Sequence, residues 1–167
     1  MKTIMKKSLC FLIGLFILFS LNCYIDAAST TQQKKAEEWF KKAYNADTPT
    51  LQIEYYSKAI DINPKYADAY NNRGVTYGNL GEHLKATIDF SKTIELNPKY
   101  AQDYYTRGVA YALLKVFTTE ACDDFYQAGI LFLEQDNTDQ ALLCVDQMKK
   151  VDPSSPLINK LMDQIYP

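Results

Sequence analysis

One stretch of this chain repeats itself. Setting Ser57–Tyr77 against Ser91–Tyr111, an offset of 34 residues, gives identity at 13 of 21 positions, where unrelated segments would share about one or two. The shared residues include the string Asn-Pro-Lys-Tyr-Ala at 63–67 and again at 97–101. Tyr70, Arg73, Gly74, Val75 and Tyr77 follow the first copy and are echoed by Tyr104, Arg107, Gly108, Val109 and Tyr111 after the second. A unit this short cannot close a core of its own. Its apolar surface must be buried by stacking one unit on the next.

Within the unit the spacing is helical. Tyr66, Tyr70, Gly74 and Tyr77 share one face, and Ala86, Phe90 and Ile94 share another. Pro64 and Pro98 end helices, and Gly81 between the two faces closes the first helix in a left-handed turn. Gly74 and Gly108 let neighbouring helices approach closely. A 34-residue helix-turn-helix unit with an aromatic four before the glycine, another three after it, and then Ala86, Phe90 and Pro98 resembles the tetratricopeptide repeat. The resemblance covers 67–101 fully and continues to about Phe125. It implies an all-α fold, a right-handed α-solenoid of stacked repeats with a C-terminal capping helix.

The flanks depart from the pattern. Upstream, Trp39 lies four before Ala43, and Tyr56, Ala59, Ile60 and Pro64 follow, which reads as a first repeat with a shortened connector. Asp47–Thr50, with Pro49 at the start of a helix, forms the tightened turn. Downstream, the third unit gains one residue in its turn and lacks the closing proline. A fourth is nonetheless in phase, with Phe125, Gly129 and Phe132 at first-helix spacing and Ala141, Val145 and Pro153 at second-helix spacing. The second helix of the third repeat and the first of the fourth are then one segment. The spacing predicts a continuous helix from about Thr119 to Glu134, and the unbroken apolar run Ala128–Leu133 makes it the most buried of all. A turn is expected at 136–139, a helix at 140–150 and a break at 153–156. The capping helix, 156–166, turns Leu157, Ile158, Leu161, Met162 and Ile165 inward. The sum is eight helices and no strands in a domain of residues 29–167, with repeats at about 33–66, 67–100, 101–134 and a degenerate 122–155.

The N-terminal segment has a different character. Lys2, Lys6 and Lys7 precede an apolar run, Ser8–Leu21, and small residues gather at Ala27, Ala28 and Ser29. This is the pattern of a signal peptide over residues 1–28, and it places the product in the periplasm or outside the cell. The run of 14 residues is shorter than the roughly 20 that a spanning helix needs. An uncleaved anchor and lipidation of Cys23 are the rival readings, either of which would attach the protein to a membrane. Cys23 follows Asn22, where a lipidation signal wants a small residue.

Composition narrows the chemistry. With 18 basic against 20 acidic side chains and one histidine, there is no basic field for nucleic acid and little material for a metal site or a histidine-based triad. The reading is therefore a non-enzyme, with no catalytic or metal residue assigned and no cofactor implied. His83 reads as a solvated turn residue. Asp123 and Asp124 are adjacent, so they diverge around a helix and read as solvent-facing. Cys122 and Cys144 lie on helices whose antiparallel register separates them too far for a disulfide, giving two free, mostly buried thiols.

In proteins of the family this chain resembles, the first helix of each repeat lines a concave surface that takes an extended peptide or a helix. By position this implies Asp68, Asn71, Asn72, Val75 and Asn79 from one repeat, and Gln102, Tyr105, Thr106, Val109 and Leu113 from the next. Tyr105 stands out because Asn71 occupies its place one repeat earlier. The subclass that grips a C-terminal carboxylate with Lys, Arg and Asn is matched at Asn72 alone. Phe40, Tyr44, Gln102 and Thr106 hold the other places, so no cation is available to pair with a carboxylate. The expected function is a non-catalytic module of the cell envelope that binds a protein or peptide in the groove. The alternative is a structural or self-associating part of an envelope assembly.

Overall fold

The computed structural model describes residues 29–167, so the expected signal segment and Cys23 lie outside it. Among the described residues all regular structure is α-helical: α1 (29–44), α2 (Pro49–Ile62), α3 (Ala67–Asn79), α4 (His83–Leu96), α5 (Ala101–Leu114), α6 (Thr118–Leu133), α7 (Thr138–Val151) and α8 (Pro156–Ile165). None of these helices is long and apolar enough to cross a membrane.

Local chemistry sets several boundaries. The Thr48 hydroxyl accepts from the Leu51 amide at 3.4 Å, and Pro49 occupies the first turn of α2, where its missing N–H costs nothing. Gly81 takes φ +77° and turns the chain from α3 into α4. Lys115 stands one repeat later and takes φ 61°, a left-handed conformation that a side chain resists by about 1–2 kcal/mol. The turn expected at 136–139 lies two residues earlier in the structure, at 134–137. Asn137 accepts from the Gln140 amide at 3.3 Å and so starts α7 at Thr138, which then runs to Val151.

The helices pack in series. Each leans on the next from α2 through α7, and α8 closes against both α6 and α7. Two contacts recur and set the spacing. A Cβ on Gly74 of α3 would lie 2.9 Å from Phe90 Cε1 of α4, and one on Gly108 of α5 would lie 3.0 Å from Phe125 Cε1 of α6. The rings occupy the space that the glycines leave, so each hairpin closes on an aromatic edge. In the fourth unit Gly129 receives Leu161 of the capping helix instead. Helix α6 is thus covered by α5 on one side and by α7 and α8 on the other, and Phe125, Ala128, Leu131 and Phe132 are all buried in it.

A second recurring contact runs across three helices. Arg73 of α3 donates through Nε and Nη2 to both carboxylate oxygens of Asp89 in α4, at 2.8 and 2.7 Å, and through Nη1 to Ser57 Oγ in α2 at 2.8 Å. One repeat on, Arg107 of α5 makes the same three bonds to Asp124 of α6, at 2.8 and 2.7 Å, and to Ser91 Oγ of α4 at 3.0 Å. Tyr70 and Tyr77 flank the first guanidinium at 5.7 and 6.0 Å, and Tyr104 and Tyr111 the second at 5.9 and 5.8 Å. Hydrogen bonding to the carboxylates raises the pKa of both arginines above the usual value. Asp124 is therefore not solvent-facing as expected: it is 5% exposed, while its neighbour Asp123 is exposed. The residue inserted before α6 shifts the position equivalent to Asp89 from 123 to 124.

Cys122 and Cys144 are both free and buried. Burial pushes the Cys144 thiol up to about 12, far from the thiolate that reacts or binds metal.

Two stability measurements test this packing. Gly108→Ala places a methyl against the Phe125 ring, which is fully buried. It should lose about 1–3 kcal/mol to overpacking, more than the roughly 1 kcal/mol that alanine gains in helix propensity. Gly78→Ala, with nothing within 4 Å of the added carbon, should gain up to about 1 kcal/mol. Urea denaturation that ranks the two the other way removes the close approach as a determinant. Separately, Arg107→Met strands the buried Asp124 carboxylate and should cost about 3–5 kcal/mol, of which Arg107→Met with Asp124→Leu should recover most. A double variant as unstable as the single one would show that the cost lies in packing and not in the unpaired charge.

Candidate functional site

The serial stacking leaves a trough between α3 and α5, floored by α4. At the N-terminal ends of the two helices it opens into a polar hollow of about 330 Å³, lined by Ala67, Asp68, Asn71 and Asn72 of α3, Gln102 and Asp103 of α5, and Thr93, Asn97 and Tyr100. Towards their C-terminal ends it opens into an apolar hollow of about 290 Å³, lined by Val75, Gly78, Asn79, Tyr105, Thr106, Val109, Ala110 and Leu113, with His83 and Phe90 beneath. Every residue named from sequence for the groove lines one hollow or the other. Asp68, Asn71, Asn72 and Gln102 fall in the polar one, and Val75, Asn79, Tyr105, Thr106, Val109 and Leu113 in the apolar one.

The structure also qualifies several of them. The Asn71 amide donates to Asp103 Oδ1 at 2.9 Å, across the repeat boundary. Asn72 donates to the Asp68 carbonyl at 2.8 Å and Thr106 to the Gln102 carbonyl at 2.9 Å, each within its own helix. The Tyr105 ring lies 5.6 Å from that of Phe125; burial raises the pKa of its hydroxyl, and the nearby Gln147 side chain of α7 tempers that rise. Tyr105 is thus half wall of the hollow and half tie between α5 and the C-terminal core.

Asp103 escaped the sequence reading. It stands where Ala69 stands one repeat earlier, both fully covered, and that replacement of a buried alanine by an acid was the available signal. Burial raises the pKa of its carboxyl, the Thr93 and Asn71 side chains hold it down, and the nearby charge of Asp68 raises it further. His83 also departs from expectation. It is the first residue of α4, half-buried under the apolar hollow, with a buried Nδ1 that has no hydrogen-bond partner. Among the described residues no group of three or more His, Cys, Asp or Glu is placed to hold a metal ion.

With this geometry in hand, residues 53–81 match a family model described as a TPR repeat. Among curated proteins, the chain is 45% identical over 56 residues to a UDP-N-acetylglucosamine--peptide N-acetylglucosaminyltransferase of Giardia intestinalis, covering 34% of this chain and 3% of that protein. It is 40% identical over 56 residues to an uncharacterized protein of Methanocaldococcus jannaschii, covering 32% of this chain and 65% of that one. Among solved structures, the TPR2B domain of yeast Sti1 in its pHsp70 complex superposes with a TM-score of 0.62 at 20% identity, over 75% of this chain and 99% of that one. The Arabidopsis OM64 TPR domain superposes at 0.54 and 20% identity, over 81% and 97%. The fold is an all-α solenoid of helical repeats, the fold of these solved TPR domains, and residues 53–81 match the tetratricopeptide repeat.

The raised pKa of Asp103 gives a signed pH test. A carboxyl whose folded pKa lies above its unfolded value contributes stability at acidic pH that is lost as pH rises through the folded pKa. Asp103→Asn keeps an acceptor for Asn71 and removes the charge, so its stability relative to wild type should increase from acidic to neutral pH. Urea titrations at both ends would show a constant difference if Asp103 were as well solvated as an ordinary carboxylate.

Proposed function

We propose that this protein is a non-catalytic interaction module whose trough between α3 and α5 receives a peptide segment of a partner protein. One observation carries the reading: the trough is open and keeps apolar side chains at its rim in solvent, with Val75 41% and Leu113 54% exposed. Such residues clustered around a hollow and edged by amides suit a chain that must satisfy its backbone while burying side chains. The similar yeast domain is in a complex with pHsp70. This chain shares that fold but not the cations that would grip a C-terminal carboxylate, so the proposal is groove binding without chaperone-tail specificity. The lysines ahead of the apolar run Ser8–Leu21, with Ala27, Ala28 and Ser29 beyond it, support export to the cell envelope.

A second reading has its own observation. Leu84 and Ile88 lie one turn apart on α4 and are 57% and 69% exposed, an apolar pair through which copies could associate. A single mass by light scattering at every concentration would remove it.

The test of the groove is capture of partners from the native cell envelope by the full chain and by Val75→Arg, which fills the apolar hollow from a half-exposed position. Partner recovery should fall at least tenfold with helicity unchanged by circular dichroism. Undiminished capture would place the interaction elsewhere on the surface. N-terminal sequencing of the exported protein should begin close to Ser29, and full-length protein in the cytosolic fraction would remove the envelope assignment.

A further inference from the structure

The two hollows of the trough differ in kind, and the difference specifies what the groove should hold. The polar end carries two carboxylates, Asp68 and Asp103, beside the amides of Asn72, Asn97 and Gln102, and no Lys or Arg lines it. The Asp68 side chain is exposed and makes no hydrogen bond or ion pair with the described residues, and its charge is felt at Asp103 across the hollow. The nearest arginines in sequence, Arg73 and Arg107, are committed to Asp89 and Asp124 on another face of the same helices. Among the described residues the lining of the hollow therefore carries negative charge and no positive one, with Lys65 and Lys99 outside it. The other end is apolar, with Val75, Tyr105, Val109 and Leu113 around it.

We infer that the occupant of the groove is an extended peptide bearing a Lys or Arg side chain in the Asp68–Asp103 hollow and a large apolar side chain in the Val75–Leu113 hollow. This rests on the groove reading above and adds the chemistry of the partner to it. The centres of the two hollows are about seven residues apart along α3, or roughly 10 Å at the helical rise. An extended chain covers that distance in about three residues, so the two side chains should fall about three positions apart. Charge complementarity favours this polarity: a carboxylate-ended peptide would bring a like charge to Asp68 and Asp103, and like charges across an interface select against a partner.

The test uses a displayed library of random twelve-residue peptides selected against the full chain, with the enriched peptides synthesised and titrated by fluorescence anisotropy. Selection should enrich a basic residue about three positions from a large apolar one. Asp68→Asn should weaken binding about threefold to tenfold, the loss shrinking as salt rises, and Val75→Arg should weaken it at least tenfold. Peptides that lack a basic residue, bind Asp68→Asn as well as wild type and still lose affinity to Val75→Arg would overturn the cationic assignment and leave the groove standing. Peptides indifferent to Val75→Arg, or a selection that enriches nothing over the Val75→Arg chain, would overturn the groove itself and this inference with it.

Discussion

The structure depends on how closely an aromatic ring can approach a helix backbone. At Gly74 and Gly108 there is no side chain, and Phe90 and Phe125 press into the space. That approach sets the separation within each hairpin, and a hairpin so closed presents the same outer surface each time to the next. The Arg–Asp–Ser contact then fixes what the ring contact leaves free. By bonding forward to an aspartate and back to a serine, Arg73 and Arg107 each tie three successive helices. The aspartates are nearly out of water, so a slipped register would strand a charge, which is far more costly than losing a surface pair.

The trough follows from this stacking. Successive first helices, α3 and α5, lie side by side with α4 behind them, and Arg73 with Tyr70 and Tyr77, like Arg107 with Tyr104 and Tyr111, is drawn to the hairpin side. What remains towards the trough varies between repeats at most positions, although Val75 recurs as Val109. Asn71 becomes Tyr105, Ala69 becomes Asp103 and Asn79 becomes Leu113. The scaffold repeats and most of the groove does not, which is how one architecture can carry different recognition surfaces.

The C-terminal end shows how far the repeat logic reaches. Helix α6 packs against α5 on one side and against α7 and α8 on the other, and most of its apolar run is buried between them. The fourth unit is closed by α8 rather than by a further repeat, and Leu161 takes the slot at Gly129. One inserted residue decides which of Asp123 and Asp124 is solvated and which is buried, since the two differ only in which way a helix turns them.

The period, the helix boundaries near Pro49, Gly81 and Pro156 and the continuous helix α6 are readable in the chain, because each is encoded by residues close in sequence or one repeat apart; the trough positions come from the family resemblance instead, and Asp103 is not among them. Local rules of capping, backbone freedom and 3.6-residue periodicity suffice for these. What the tertiary structure alone decided was which polar groups are spent within the protein and which remain to bind. Asn71 is taken up by Asp103, Tyr105 is half committed to Phe125 and Gln147, His83 is drawn beneath the apolar hollow, and Asp68 is left over. Such pairings join side chains from different helices, and their partners are fixed only when three-dimensional packing brings the helices together.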